Sequence, residues 1–324
     1  MTAPRTMRAV VQDRYGGTEV LRLDDIPVPV PGDGEVLVAM RAAGVDAGVH
    51  HLVTGRPYAM RLMGFGLRAP KVRVRGGEGA GVVTAVGRGV TRFAAGDRVH
   101  GAFDGAFAEY ARTNADQLAH TPERLTFEQA AALPISGVTA LQALAGVRAG
   151  QRVLVVGAGG GVGTYAVQLA KALGGQVTGV CSTGKTELVR GLGADAVLDY
   201  TREPLTGRYD LILDLAGNRP LAQLRALLDP DGALVIVGGE TDGLLLGGAT
   251  RLLRAALLNP FTRQRLTGLL STMKRDDLHR LTELAATGQV TPAVGRTYPL
   301  SRAADAIAYQ AEHHAHGKIV LTIP

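Results

Sequence analysis

Seven consecutive residues, Gly157-Ala158-Gly159-Gly160-Gly161-Val162-Gly163, carry the most explicit chemistry in the chain. An apolar run, 153–156, precedes them, and Val162, Ala166, Leu169, Ala170 and Leu173 then recur at helical spacing. A strand that turns through glycines into a helix gathers unpaired amides and the positive end of the helix dipole at one point, which favours an anion. A second strand, 176–181, follows within about thirty residues, as in units that bind a dinucleotide pyrophosphate. On this reading Gly160 lets the backbone approach the pyrophosphate. Gly161 and Val162 open the helix there, and Gly163 lets the helix pack closely on the strand. Ala158 stands where the usual fingerprint has its first glycine.

The end of the second strand bears on the type of dinucleotide. Sites for NAD usually place an Asp or Glu there to hold the ribose 2′-hydroxyl. This strand runs out through Ser182-Thr183-Gly184-Lys185, with no carboxylate before Glu187. Ser182 and Thr183 as hydrogen-bond donors and Lys185 as a cation suit a 2′-phosphate, which predicts NADPH. Tyr200, beyond the next strand, is expected to pack on the adenine side.

These residues need elements to hold them. Residues 8–12, 35–43 and 81–86 read as short Val-rich strands separated by Gly and Pro clusters, with no helical period of any length up to 124. That pattern predicts a partly closed barrel or sandwich. From 125 to 261 strands alternate with helices, which predicts a doubly wound parallel sheet. Residues 262–324 begin with a helix near 278–286. They continue with Ser301 as the cap of a helix that turns Ala304, Ile307 and Ala308 inward, and end in a strand, 318–323, that returns to the first region. The expected domains are thus 1–124, 125–261 and the return 262–324, with the fold class α/β.

Composition narrows the function. A length of 324 residues suits about two domains. With 46% hydrophobic and 20% charged residues, the chain is neither disordered nor a multi-span membrane protein. The one cysteine, Cys181, excludes an internal disulfide and a Cys-rich zinc site, and fits a reducing compartment. The net charge of +6 is spread over scattered Lys and Arg, with no Trp and few aromatics, so no nucleic-acid partner is expected. The N-terminus carries no apolar secretory core. Residues 129–147 carry no charge, but Pro134, Ser136, Thr139 and Gln142 make them a buried Ala-rich helix rather than a span. A cytoplasmic protein without an integral membrane segment is expected.

The glycine loop and the following Ala166-Val167-Gln168-Leu169-Ala170-Lys171 resemble the medium-chain dehydrogenase/reductase superfamily, and more narrowly its zinc-independent quinone oxidoreductase branch. Gly44-Val45-Asp46, Gly96-Asp97-Arg98-Val99, Gly105-Ala106-Phe107-Ala108-Glu109-Tyr110, Leu192-Gly193-Ala194-Asp195 and Gly317-Lys318-Ile319-Val320 match as well. The resemblance implies a GroES-like β-rich catalytic domain with an inserted Rossmann domain, a cleft joining them, and a homodimer. It implies that Ser136 lies near the nicotinamide ring, that Gly238 passes close to the cofactor, and that Lys318 reaches it.

Zinc-dependent relatives need a Cys, a His and a further Cys or acid around an open site. Here Asp46 stands at the first such position and Gly77, in Gly76-Gly77-Glu78, replaces the histidine, so no metal is expected. An Asp46, His50-His51 and Glu78 set is the residual alternative for a divalent ion. The trio His313, His314 and His316 reads as a solvated helix end.

Without a Lewis acid, an apolar quinone or enone substrate is favoured, because its own π-system spreads the transferred charge. Asp46, His50, His51 and Tyr58 are the candidates for its pocket, with Tyr58 or His51 as proton donor. Residues 60–67 read as a lid or a helix folded on the barrel. The apolar stretch 244–261 reads as a lining, a dimer contact or a membrane contact. Two other readings stand beside the reductase: an alcohol dehydrogenase, and a non-catalytic NADPH-binding sensor.

Overall fold

The structure is a computed structural model that describes residues 5–237, 248–312 and 315–324. The expected cofactor residue Gly238, the start of the 244–261 stretch, and His313 and His314 lie outside the described residues. Two compact units are present, one formed by Met1–Val138 with Met273–Pro324 and the other by Thr139–Thr272.

The first unit is β-rich. Strands β1 (Thr6–Val11) and β2 (Arg22–Pro27) form an antiparallel pair. β3 (Glu35–Val45) leads into α1 (Ala47–Thr54), followed by β4 (Glu78–Val86), β5 (Arg98–Ala102), β6 (Tyr110–Asn114) and β7 (Leu118–His120). Two helices come next, α2 (Phe127–Ala131) and α3 (Pro134–Ala143).

α1 overturns the expectation of no helix in this region. It is short, and its polar His50 and His51 interrupt the apolar period that would have marked it. The single helix expected over 129–147 is instead α2 and α3. Thr126 and Gln129 form a reciprocal capping box that starts α2. Pro134, which has no amide proton to give to an upstream turn, begins a new helix instead of extending the old one. α2 packs on β3 and β4. Residues 125–138 therefore belong to the β-rich unit, and the unit boundaries fall later than 124 and 261.

The second unit is a parallel sheet. β8 (Arg152–Val156), α4 (Gly161–Ala172), β9 (Gln176–Cys181), α5 (Thr186–Gly191), β10 (Ala196–Asp199) and β11 (Tyr209–Asp214) alternate as expected. α6 (Leu221–Ala226), β12 (Leu228–Ile236), α7 (Ala249–Leu258) and β13 (Arg265–Gly268) complete it. Among the described residues the strand order is β10-β9-β8-β11-β12-β13, all parallel. This is the doubly wound order, with its topological switch point between β8 and β11. Leu154, Val156, Ile212, Leu234 and Ile236 fill one side of the sheet. β13 falls within 262–324, the segment expected to return to the first region. Only four residues long and exposed except at Leu266, it lacks a strand-like apolar run.

The chain then returns through α8 (Arg275–Ala286), β14 (Val294–Pro299), α9 (Ala303–Ala311) and β15 (Lys318–Thr322). β15 lies between β14 and β3, as expected of a returning strand. Ser301 does not cap α9. A 3-10 turn spans Leu300–Arg302, Arg302 takes the cap position, and the inward set is Ala303, Ala306 and Ile307. Among the described residues no helix is long and apolar enough to cross a membrane.

Candidate active site

The glycine loop leaves the C-terminal end of β8 at the switch point. Gly157 takes φ +92°, a conformation open to glycine, and its amide and that of Ala158 both donate to the Val180 carbonyl at 3.0 Å. Because Gly157 carries the turn, Ala158 is tolerated. Its methyl group is fully buried and faces Gly179 of β9. A Cβ on Gly163 would stand 2.1 Å from the Gly157 carbonyl oxygen, so only glycine lets α4 start this close to the loop. A Cβ on Gly160 would have its nearest neighbour at 3.4 Å, an ordinary van der Waals contact, so the fold itself does not require glycine there. The amides of Gly161, Val162 and Gly163 form the first turn of α4, where no upstream carbonyl can reach them.

Lys185 is folded over this loop. Its stem is so close to Gly159 that a Cβ there would meet Lys185 Cδ at 2.8 Å, and burial pushes its ammonium below the ordinary lysine value. Ser182 caps the turn Thr183–Lys185 with its backbone.

Thr183 does not behave as expected. Its hydroxyl donates to Asp199 Oδ2 at 2.5 Å, so its proton is already committed. The expectation that no acid stands at the end of the second strand holds along the chain but not in space. Asp199 ends β10, directly beside Cys181 of β9. Tyr200 is 48% exposed, with the Arg219 guanidinium 5.6 Å from its ring centre.

A second cluster occupies the β-rich unit. Lys318 on β15 is 2% exposed and pairs with Glu78 of β4, which is fully buried. Lys318 Nζ also donates to Ser136 Oγ at 3.1 Å, and Glu78 Oε2 accepts from the Ile135 amide at 2.7 Å. Burial pushes the Glu78 carboxyl up, and the Lys318 ammonium opposes that shift. Lys318 is therefore no surface side chain, and its ammonium meets Ser136 and Glu78. Ser136 accepts from Lys318, so its own proton is directed elsewhere.

The zinc-type positions do not fit a metal. Gly77 offers no ligand atom, and a Cβ there would meet Ile135 Cδ1 at 3.1 Å. Both oxygens of Glu78 are engaged by Lys318 and Ile135. Among the described residues no three His, Cys, Asp or Glu side chains come together to hold a metal ion, so the alternative set of Asp46, the histidines and Glu78 is not assembled.

Asp46 precedes α1 without capping it through its side chain, and His50 and His51 lie on that helix rather than on a loop. His51 Nδ1 lies 2.9 Å from the Arg56 carbonyl oxygen. That contact requires Nδ1 to carry the proton, which leaves neutral His51 a lone pair and no donor at Nε2. Tyr58 is half exposed beneath the Arg61 guanidinium, which also covers Tyr15. Residues Arg61–Phe65 form a helical turn, tied down by Tyr15, whose hydroxyl reaches the carbonyls of Phe65 and Gly66.

Three features escaped the sequence reading: Asp199 as partner of Thr183, Arg219 over Tyr200, and the buried pair of Asp214 at the end of β11 with Arg251 of α7. Only the position of Asp199 at the end of a predicted strand could have hinted at the first.

Two family models match the chain: an alcohol dehydrogenase GroES-like domain over residues 32–123 and a zinc-binding dehydrogenase over residues 192–321. A chloroplastic quinone oxidoreductase of Triphysaria versicolor is 32% identical, covering 98% of this chain and 99% of its own length. An NADPH-dependent alkenal/one oxidoreductase of Arabidopsis thaliana is also 32% identical, covering 98% of this chain and 80% of its own length. The solved quinone oxidoreductase from Coxiella burnetii superposes with a TM-score of 0.86 at 29% identity, covering 98% of this chain and all of that one.

Proposed function

Because the chain belongs to the medium-chain dehydrogenase/reductase superfamily, in its quinone oxidoreductase-like branch, and is an NAD(P)H-dependent oxidoreductase, we propose that it reduces quinones or α,β-unsaturated carbonyl compounds with NADPH and without a metal. The observation that carries the cofactor choice is Lys185, its stem laid across Gly159 of the helix-opening loop. In this reading the amides of Gly161, Val162 and Gly163 hold the pyrophosphate, and the lack of a side chain on Gly160 lets the backbone approach it. Ser182 and Lys185 face the 2′-phosphate, and Tyr200 covers the adenine. Bound NADPH supplies the hydride.

The chain's own groups supply orientation and the proton. Ser136 is held by Lys318, so its hydroxyl proton is available to an acceptor oxygen, and Glu78 balances the buried ammonium. With glycine at position 77 and Glu78 occupied, the acceptor has to spread charge through its own conjugation. The names of the relatives, a quinone reductase and an alkenal/one reductase, support this substrate class. A cytoplasmic homodimer completes the reading. Exposed Leu253, Leu257, Phe261 and Leu270, on and beside α7 and β13, support pairing with a second copy.

The test is NADPH consumption by metal-free protein against a panel of acceptors. A metal's help is commonly worth several kcal/mol, so quinones or enones should exceed simple ketones by on the order of a hundredfold in kcat/KM. Equal or faster turnover of unconjugated aldehydes overturns the reading in favour of a dehydrogenase.

A further inference from the structure

Three side chains at the ends of β9 and β10 share two protons. Thr183 Oγ1 donates to Asp199 Oδ2 at 2.5 Å, and Thr201 Oγ1 donates to Asp199 Oδ1 at 2.7 Å. The Thr201 amide adds a third hydrogen bond to Oδ1 at 3.0 Å. The two hydroxyl oxygens are 2.9 Å apart, with both protons already directed at the carboxylate. Asp199 is buried and Thr183 is exposed, so a ligand at this turn meets the threonine and not the acid. The threonine-bound carboxylate stays ionised, since the Thr183 hydroxyl first and Thr201 after it hold its carboxyl below the ordinary value.

A hydroxyl whose proton is committed presents a lone pair. A ribose 2′-hydroxyl can donate to that lone pair, whereas a 2′-phosphate at neutral pH has little or no proton to give and is repelled by it. Lys185, two residues along the same turn, favours the phosphate. We propose that Asp199 is a positioning residue that sets the ratio of NADPH to NADH binding by holding Thr183 as a hydrogen-bond acceptor. The proposal deepens the reading above and rests on its placing of the adenosine ribose at Ser182–Lys185. The site is balanced rather than exclusive: Lys185 pulls towards NADPH and the Asp199–Thr183 pair pulls towards NADH.

Asp199→Asn tests this directly. An asparagine can donate to Thr183 Oγ1 and still accept from Thr201, which turns the Thr183 proton outward and removes the negative charge. Titrations of NADPH and NADH, followed through the fluorescence of the reduced nicotinamide, should show the ratio shifting about tenfold towards NADPH, the scale of one hydrogen bond to a charged group. Thr183→Val, an exposed change that leaves the buried acid in place, should weaken NADH a few-fold and leave NADPH nearly unchanged. If Thr183 instead donates to the phosphate, Thr183→Val weakens NADPH more than NADH, and the proposal fails. It also fails if Asp199→Asn folds and leaves the ratio where it was. Should Asp199→Asn not fold, the sign of the Thr183→Val effect still decides. Lys185→Ala separates the two levels. If it changes neither affinity, the cofactor does not sit at this turn and both readings fall. If it weakens NADPH while the other two variants leave the ratio alone, only the role of Asp199 falls.

Discussion

Lys318 and Glu78 stand 240 positions apart and meet where both side chains are buried. A buried ion pair of this kind contributes little net stability, but breaking one side is costly, because the remaining charge has no water to turn to. Lys318→Met should therefore lower unfolding stability by about 3–5 kcal/mol, read from denaturant midpoints. It should also lower kcat, since Ser136 loses the donor that sets its hydroxyl. The double variant Glu78→Gln with Lys318→Met removes both charges and should recover most of the stability while leaving kcat low. If the single variant keeps full kcat, Lys318 does not act through Ser136. The types of Ser136 and Lys318 were legible in the sequence from their matching segments, but their contact was not, because nothing local links β15 to the start of α3. His51 shows the same limit in reverse. Its identity suggests a proton donor, and one contact to the Arg56 carbonyl assigns its proton to the backbone.

At the scale of elements, the strand-loop-helix unit around Gly157 to Gly163 was readable because every requirement on it is local. Two of its glycines nevertheless do different work. Gly163 has a backbone oxygen 2.1 Å from where a Cβ would be, whereas Gly160 has nothing closer than 3.4 Å. Gly163→Ala should force α4 away from the loop and lower the melting temperature, by an amount equivalent to roughly 1–3 kcal/mol for overpacking. Gly160→Ala should melt within about 0.5 kcal/mol of the parent, as an unstrained change does, yet weaken NADPH by tenfold or more in the same titrations. Equal loss of stability in both variants would contradict this division. The elements that differ from the sequence-based expectation each lack a strong local signal. α1 is too short and polar to show a period, β13 is an exposed edge of four residues, and the α2–α3 break hangs on where Pro134 falls.

At the scale of the molecule, the β-rich unit is closed by chain segments from both ends of the sequence. His100 on β5 marks that closure. Its ring nitrogens lie 3.3 Å from Thr121 Oγ1 and 3.1 Å from Thr282 Oγ1 of α8. It is fully buried, and burial pushes its pKa down to about 3. Between that value and the ordinary histidine value, the unfolded chain binds the extra proton and the folded chain does not. Stability from this group is therefore complete above about pH 6.5 and falls as pH drops towards 3, by up to about 1.4 kcal/mol per pH unit. Urea midpoints between pH 7 and pH 4 should show that slope. His100→Gln, which keeps a donor and an acceptor but does not titrate, should flatten it. An unchanged slope would place the acid sensitivity in other groups.

What the sequence by itself determined was whatever depends on neighbours along the chain: the alternation of strands and helices, the glycine loop, the returning last strand, and the family these patterns mark. Periodicity and turn chemistry act over a few residues, so they survive without a tertiary frame. Only the folded structure decided the partners. It set Asp199 beside Thr183, Lys318 between Glu78 and Ser136, and Ile135 over Gly77. These contacts fix where protons and charges reside. They join residues on different strands and helices, whose adjacency follows from sheet order and packing and not from spacing in the sequence.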